Sequence, residues 1–183
     1  LGLKQSKSDL GIYFGEKTVA YVHVDDVFAI GKRQDVDELF EQISAKLEFK
    51  PGDWLTVGST VTFVGKKIHR VSHDSFEVFH DEKYVIGIAA SLGLTTDSRA
   101  LSAPSAEVKP STEDEKRAWT RPLGAADHYL YRKIVGQLRY LVPERLDLAF
   151  PVHCCIRDLA APTGASMARL KRLGCYLVGT RDW

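Results

Sequence analysis

Hydrophobic and polar positions alternate in short runs over the first third of the chain. Residues 10–14, 18–24 and 27–31 are rich in β-branched and aromatic side chains, and they are separated by Gly15-Glu16-Lys17 and by Asp25-Asp26. Runs of this kind between turn residues predict strands, and such short separations predict antiparallel hairpins. We therefore expect a three-stranded meander with Asp25-Asp26 at its second turn.

After residue 31 the apolar residues recur with the spacing of an α-helix. Asp35 is a suitable N-cap with Glu38 three residues later, and Lys50-Pro51-Gly52 predicts the end of this helix. The apolar positions that recur at helical spacing are Val36, Leu39, Phe40, Ile43 and Leu47. Beyond this helix, residues 60–71 predict one long strand, followed by a turn at 72–74 and a short strand at 75–80.

The second half of the chain predicts helices. Residues 82–92 are apolar on most sides and are followed by Gly93, whereas residues from 95 to about 121 are rich in Ser, Thr, Pro and charge and show no period. Three further helices are expected at about 128–141, 146–160 and 164–178, with Pro143 and Pro162 between them. The predicted organisation is an α+β fold with four parts, which are residues 1–80, a helix at 81–94, a linker or extended loop at 95–127, and a helical segment at 128–183.

Composition narrows the class of protein. The chain has 183 residues, of which 44% are hydrophobic and 27% charged, as in ordinary globular proteins. It contains no apolar run of about 18 residues and opens without a signal-peptide pattern, so we expect no membrane partner. Its three cysteines fit neither a disulfide framework nor a zinc site, and we expect an intracellular rather than secreted protein. The sole methionine is Met167, which suggests a piece of a longer polypeptide.

Charge is distributed unevenly. Residues 1–93 hold 11 basic and 14 acidic side chains, whereas residues 128–183 hold 9 basic and 4 acidic ones. A basic segment suits a polyanionic partner, and it is equally typical of a solvated helical surface.

The adjacent carboxylates Asp25 and Asp26 are the sharpest candidate for chemistry. A hairpin turn projects its side chains beyond the sheet. In that position carboxylate oxygens can bind hard divalent cations. Phosphoryl transfer uses two such metals, about 3.5–4 Å apart, to stabilise the attacking and leaving oxygens. Aspartate is also a common turn residue because it tolerates left-handed conformations, so the pair alone does not decide between these interpretations.

The residues around Asp25 and Asp26 resemble those of a known protein family. Val24-Asp25-Asp26 is similar to the Tyr-x-Asp-Asp box of reverse transcriptases, and its surroundings resemble the copia-type retrotransposon family in order and spacing. The other similar blocks are Leu3-Lys4-Gln5-Ser6 with Ser8-Asp9, Phe63-Val64-Gly65-Lys66-Lys67-Ile68, Lys83-Tyr84-Val85-Ile86, Leu92-Gly93-Leu94, Tyr131-Arg132-Lys133-Ile134-Val135-Gly136-Gln137-Leu138-Arg139-Tyr140-Leu141, and Tyr176-Leu177-Val178-Gly179-Thr180.

This resemblance implies a carboxy-terminal piece of a reverse transcriptase within a Pol polyprotein. The fold would be a partial polymerase palm, an antiparallel sheet with the Val-Asp-Asp hairpin, followed by a helical thumb and connection. The implied reaction is magnesium-dependent nucleotidyl transfer to a primer 3′-hydroxyl. Asp25 and Asp26 would be catalytic metal ligands. The implied partners are an RNA or DNA template with its primer, deoxynucleoside triphosphates in the complete enzyme, and the remainder of the polyprotein.

The resemblance also implies nucleic-acid contacts. His23 stands where the family has a tyrosine near the primer terminus. Residues 63–67 resemble the strand that supports the primer, where Phe63 would anchor the strand, Gly65 would permit close approach, and Lys66 and Lys67 would offer charge to phosphates. An ordinary amphipathic strand explains the same residues.

Helical cations form a further set of candidates. Lys83, Arg132, Lys133 and Arg139 would follow a nucleic-acid backbone from the thumb, although a solvated helix face is an equal alternative.

Departures from the family pattern support a rival hypothesis. The family's Arg-Pro-Asp appears as Arg145-Leu146-Asp147, and neither the strand with the first catalytic aspartate nor the fingers is found in these 183 residues. Two carboxylates alone leave a two-metal site incomplete, so the rival is a catalytically dead remnant, which is either a decayed element or a non-enzymatic nucleic-acid-binding module. Two other pairs are weaker candidates. His69 and His73 lack further zinc ligands, and His153 and Cys154 point apart on a helix.

Overall fold

The computed structural model describes residues 2–50, 52–105 and 109–181, so predictions that concern residues 1, 51, 106–108 and 182–183 lie outside the described residues. The chain divides into two compact units, residues 1–78 and 79–183. The first is built on antiparallel strands and the second is helical, which makes the chain α+β in composition. Among the described residues, none of the helices combines the length and the apolar character needed to cross a membrane.

A four-stranded antiparallel sheet opens the first unit. Its strands lie in chain order, and the helix α1 follows them. The elements are β1 Lys4–Gln5, β2 Ile12–Phe14, β3 Thr18–His23, β4 Asp26–Gly31 and α1 Arg33–Ser44. Successive side chains of a strand point to opposite faces. One face therefore presents Ala20 to Leu39 and Ile43 of α1, which together form the core of this unit.

The bounds of α1 differ from those predicted. The helix begins at Arg33, so Asp35 lies in its first turn rather than at the N-cap, where its negative charge still suits the helix dipole. The helix ends at Ser44, before Lys50. Leu47 is exposed, so the apolar period that predicted a longer helix does not continue as a buried face.

A second sheet has three strands, β5 Thr60–Phe63, β6 Lys66–Arg70 and β7 Phe76–His80, in the order β5-β6-β7. The prediction of a single strand over residues 60–71 is wrong. Val64 and Gly65 both have positive φ, 49° and 74°, and they form the two-residue turn of a β5–β6 hairpin. Positive φ at both central residues is the pattern of a type I′ turn, whose twist matches paired strands.

The second unit is a helical assembly around one core. Its helices are α2 Glu82–Ser91, α3 Glu113–Thr120, α4 Ala125–Leu141, α5 Ala149–Arg157 and α6 Gly164–Gly179, with a 3-10 turn at Leu146–Leu148 before α5. Fully buried residues from α2, α4 and α6 meet here, among them Ile88, Ile134 and Leu177. Gly174 of α6 lies against Leu92 and Leu94, where an added Cβ would come within 2.8 Å of both side chains. A small residue is therefore needed at this helix crossing.

The helix α3 lies inside the segment predicted to be a linker or extended loop, so that prediction is wrong for residues 113–120. The hydroxyl of Thr112 accepts a hydrogen bond from the Glu115 amide at 3.1 Å, and the Glu115 carboxylate accepts one from the Thr112 amide at 3.1 Å. This capping box starts the helix. No residue of α3 is fully buried, which explains why its sequence lacks an apolar period.

Candidate functional site

The acidic hairpin joins β3 to β4. Its register pairs His23 with Asp26, so the two turn residues are Val24 and Asp25. The predicted turn at Asp25-Asp26 is therefore one residue too late. Pairing of Tyr21 with Phe28 fixes this register, because a slip by one residue would move every side chain to the opposite face.

Both carboxylates of the hairpin are exposed. Asp25 stands at the tip, and Asp26 begins β4 directly opposite His23. Within the described ranges neither carboxylate forms an ion pair with a lysine or arginine. Their oxygens are thus open to a ligand from solvent.

Val24 belongs to the motif found in the sequence, but its place in the turn was not predicted. Its φ is 53°, and its side chain is 84% exposed. A left-handed conformation costs an L-residue roughly 1–2 kcal/mol, and a β-branched side chain tolerates it poorly. Strain of this kind tends to cluster at binding sites. The short spacing between two strand-like runs predicted a tight turn, but it placed that turn on Asp25 and Asp26 instead of Val24 and Asp25.

The hairpin presents its candidate residues on one face of the sheet. Residues directly opposite each other share a face, as do residues two apart on a strand. Tyr21, His23, Asp26 and Phe28 therefore lie on the face opposite to α1. Phe63 of β5 packs against this face, with its ring centroid 5.7 Å from that of Tyr21 and 5.3 Å from that of Phe28.

The contact with Phe63 brings the β5–β6 hairpin next to the acidic one. Lys66 is paired with Phe63 and so shares its face, whereas Lys67 is paired with Thr62 and lies on the other face. Sequence analysis predicts the same role for both lysines, which is to offer charge to phosphates. In the structure, Lys66 lies on the side of the acidic hairpin.

Gly65 also has a role in the turn that was not predicted for it. It was expected to let a ligand approach the strand closely. It supplies the second left-handed position of the turn, which glycine adopts without steric cost, and the close approach of a ligand stays a prediction.

The metal-ligating residues of the site are few. In the part of the chain that the structure describes, no group of three His, Cys, Asp or Glu side chains is placed to hold a metal ion. A two-metal centre needs more ligands than the two hairpin carboxylates. The described residues therefore do not fit a complete two-metal site by themselves.

The histidine alternatives have structural explanations. Nδ1 of His69 lies 2.9 Å from the hydroxyl of Thr60, its cross-strand partner. His73 lies in the turn before β7, and His153 is exposed on α5. None of them gathers with other ligating side chains in the described ranges.

Two blocks of the sequence resemblance meet in the second unit. Arg145 is only 8% exposed, and its Nε and Nη2 donate to the two carboxylate oxygens of Asp147 at 3.0 and 2.8 Å. The same guanidinium donates from Nη1 to the Thr180 carbonyl at 2.9 Å and from Nη2 to the Thr180 hydroxyl at 2.8 Å. The Tyr176 hydroxyl donates to Asp147 at 2.7 Å. The network fastens the loop after α4 to the end of α6.

This network explains the residue types of both blocks. Burial by itself would raise the pKa of Asp147, but the hydrogen bonds from Arg145 and Tyr176 and the charge of Arg145 hold that pKa below its usual value. Leu146, which lies between Arg145 and Asp147, is exposed and takes no part in their ion pair. These contacts give Arg145, Asp147, Tyr176 and Thr180 a structural role.

The predicted helical cations lie on the surface. Lys83 is exposed in the first turn of α2, and Arg132, Lys133 and Arg139 are exposed along α4. Among the described residues no acidic side chain pairs with the three cations of α4. Their arrangement fits a polyanion or a solvated face.

Comparisons with known proteins give one informative similarity. The chain is 25% identical over 185 residues to the Retrovirus-related Pol polyprotein from transposon RE1 of Arabidopsis thaliana. The match covers 98% of this chain and 12% of that relative, so the chain spans a small part of the relative's length. No family model and no solved structure matches the chain. The similarity supports the origin of this chain in a retrotransposon Pol polyprotein.

Proposed function

We propose that the chain is the part of a reverse transcriptase that carries the Val-Asp-Asp hairpin, within an RNA-directed DNA polymerase that transfers nucleotides to a primer 3′-hydroxyl. The observation that supports this most is the shared face of Asp26, His23, Phe63 and Lys66. One exposed carboxylate, Asp26, lies on this face next to the turn that carries the second one, Asp25, and the aromatic contact of Phe63 puts Lys66 on the same side. These are the residue types that a metal-dependent enzyme acting on a phosphate backbone needs at one place.

In this proposal the chain supplies part of the metal site. Asp25 and Asp26 each offer oxygens, which are the ligands that magnesium prefers. The remaining ligands and the grip on the incoming nucleotide come from elsewhere in the Pol polyprotein. The fold would then be a partial palm for residues 1–78, with the helical unit as thumb and connection. The template with its primer and the deoxynucleoside triphosphates are its partners.

A second function is favoured by the small number of metal ligands. A module that binds a primer–template duplex without catalysis can use Lys66 in the first unit or the exposed cations of α4 in the second, and it needs no third carboxylate. His23 in place of the family's tyrosine is compatible with it. The two functions differ in what happens at Asp25 and Asp26 when nucleic acid is bound.

Manganese reports this difference, because Mn²⁺ takes the same oxygen ligands as magnesium and broadens nearby NMR signals. The experiment adds Mn²⁺ to the ¹⁵N-labelled chain in the presence of an RNA–DNA primer–template. The polymerase proposal expects broadening centred on the amides of His23, Val24 and Val27. This broadening should disappear in Asp25→Asn/Asp26→Asn and persist in Asp74→Asn, which changes an exposed aspartate of another turn.

The other outcomes decide against the polymerase proposal. If the hybrid binds and Mn²⁺ does not collect at the hairpin, the non-catalytic module is the better description. If the hybrid fails to bind and Mn²⁺ spreads over many carboxylates, both functions are excluded for this chain.

A further inference from the structure

The second unit has a groove to which the acidic hairpin contributes no residue. It lies between α5, α6 and the segment at Pro104 and Ser105, and it has a volume of about 330 Å³. Phe150, Pro151 and Leu173 form apolar walls, and Arg169 and Arg172 bring charge to it. Pockets that bind compact ligands start at about 300 Å³, so the groove has room for one compact group.

The two arginines of the groove differ in their partners. Arg169 pairs with Asp158, which also accepts a hydrogen bond from the Ser166 hydroxyl at 2.7 Å, so its charge is already compensated. Arg172 is half-buried, and its Nε is buried without an acceptor. Across the described residues Arg172 forms no ion pair. A buried guanidinium donor without a partner is costly, and Arg172 brings to the groove a charge that no acidic side chain among the described residues compensates.

Phe150 gives the groove an aromatic wall that remains accessible. Its side chain is 69% exposed, although it belongs to a helix whose neighbouring residues Pro151 and Val152 are buried. An exposed phenylalanine has no polar end for water, so it gains from a flat apolar partner. Beside an unpaired arginine, such a ring provides the two elements with which proteins hold single-stranded nucleic acid, stacking for a base and charge for a phosphate.

The geometry points to a binding site for single-stranded nucleic acid in this groove, with one base against Phe150 and its phosphate at Arg172. The size of the groove separates a single strand from a duplex. The bases of a duplex are paired and stacked in the interior of the double helix. A base can therefore enter a protein groove only where its strand is unpaired. Every base has a flat face and every nucleotide a phosphate, so the site is expected to be indifferent to sequence.

This inference goes beyond the proposed function, because the groove lies in the helical unit and concerns a single strand instead of a primer–template duplex. Its test is independent for the same reason. Variants of the hairpin should leave single-strand binding at the groove unchanged, and variants of the groove should leave Mn²⁺ binding at the hairpin unchanged.

The experiment measures fluorescence anisotropy of labelled oligothymidylate and oligouridylate with the 183-residue chain. Phe150→Ala should weaken binding of both probes about five- to hundredfold, which corresponds to the loss of one stacked base. Phe150→Tyr should bind like the original chain, because the flat ring is kept. Leu146→Ala is the matched control, since it truncates another exposed apolar residue of the same region that lies outside the groove.

The charge is tested separately. Arg172→Gln should weaken both probes and reduce the slope of log affinity against log salt by about 0.7, the contribution of one single-strand phosphate. Lys171→Gln removes the neighbouring exposed cation, which does not line the groove, and should have a smaller effect. Circular dichroism melting of each variant checks that the helical unit is still folded.

Three results would overturn the inference. The first is unchanged affinity of folded Phe150→Ala for both probes. The second is equal weakening of single-strand and duplex binding by that substitution. The third is displacement of the probes by a short acidic peptide that binds more tightly than they do, which would assign the groove to a protein partner.

Discussion

Replacing Asp147 with Asn should destabilise the helical unit strongly. Asp147 accepts two hydrogen bonds from Arg145 and one from Tyr176, and the pair lies largely out of solvent, with side-chain exposures of 10% for Arg145 and 31% for Asp147. Asparagine keeps the shape but removes the negative charge and turns one acceptor into a donor. Arg145 then keeps its positive charge in a buried place without compensation.

The size of the effect follows from this burial. Removing one partner of a buried ion pair costs about 3–5 kcal/mol, and the partial exposure of Asp147 places the expected loss near the lower end, at about 3 kcal/mol. In a unit of about 100 residues each kcal/mol lowers the melting temperature by roughly 4–8 °C, so a fall on the order of 12 °C or more is expected. Melting followed by circular dichroism at 222 nm measures it, because the helices dominate that signal.

The dependence on pH gives the reasoning a second check. The pKa of Asp147 is below its usual value in the folded chain, so the unfolded chain binds the proton more readily. The stabilisation is therefore complete above the ordinary carboxyl pKa of about 3.9 and is lost as the pH falls through the folded pKa below it. The difference between the original chain and Asp147→Asn should be full at neutral pH and shrink below about pH 4.

An exposed pair serves as the control. Arg181 and Glu82 are 3.1 Å apart, and both are partly exposed, so Glu82→Gln should cost less than about 1 kcal/mol. If Asp147→Asn lowers the melting temperature no more than Glu82→Gln does, or if its effect is independent of pH, the network is not what fastens the loop to α6.

Three further outcomes are expected. The 183-residue chain should show no template-dependent incorporation of deoxynucleotides, because its described residues do not complete a two-metal site; incorporation that Asp25→Asn abolishes would contradict this. Val64→Asn should raise the free energy of unfolding of the first unit by roughly 1 kcal/mol in urea titrations, because asparagine tolerates the left-handed position of a type I′ turn and valine does not; a loss of stability would argue against that turn. Lys66→Ala should lower the salt slope of hybrid binding by about 0.9, and Lys67→Ala should lower it less, because the two side chains lie on opposite faces; equal effects would refute the separation.

The elements that the sequence predicted well are those in which local pattern and burial agree. The run predicted at residues 18–24 forms β3 over Thr18–His23, and the apolar period of residues 164–178 forms α6, because the positions that make these patterns are also the ones that pack. Where the local pattern and the burial disagree, the prediction failed. The helix α3 has a capping box at Thr112 but packs no buried side chain, so only the box signalled it.

The site was predictable in part, for a related reason. Asp25 and Asp26 stand out locally, but the position of the turn depends on cross-strand pairing of Tyr21 with Phe28, which no single stretch of sequence contains. The separation of Lys66 from Lys67 depends on the break at Val64, a residue type that does not signal a turn. Contacts between distant residues decide both features.

Adjacent cysteines on α5 give this chain a built-in chemical reporter. Cys155 is buried, and burial raises the pKa of its thiol, so little of the reactive thiolate forms at neutral pH. Cys154 is half-buried and lines the groove beside Arg172. An alkylating reagent should therefore modify Cys154 well before Cys155, and a molecule that fills the groove should slow that modification. Occupancy of the groove can thus be followed by mass spectrometry on unaltered protein, without a label or a substitution.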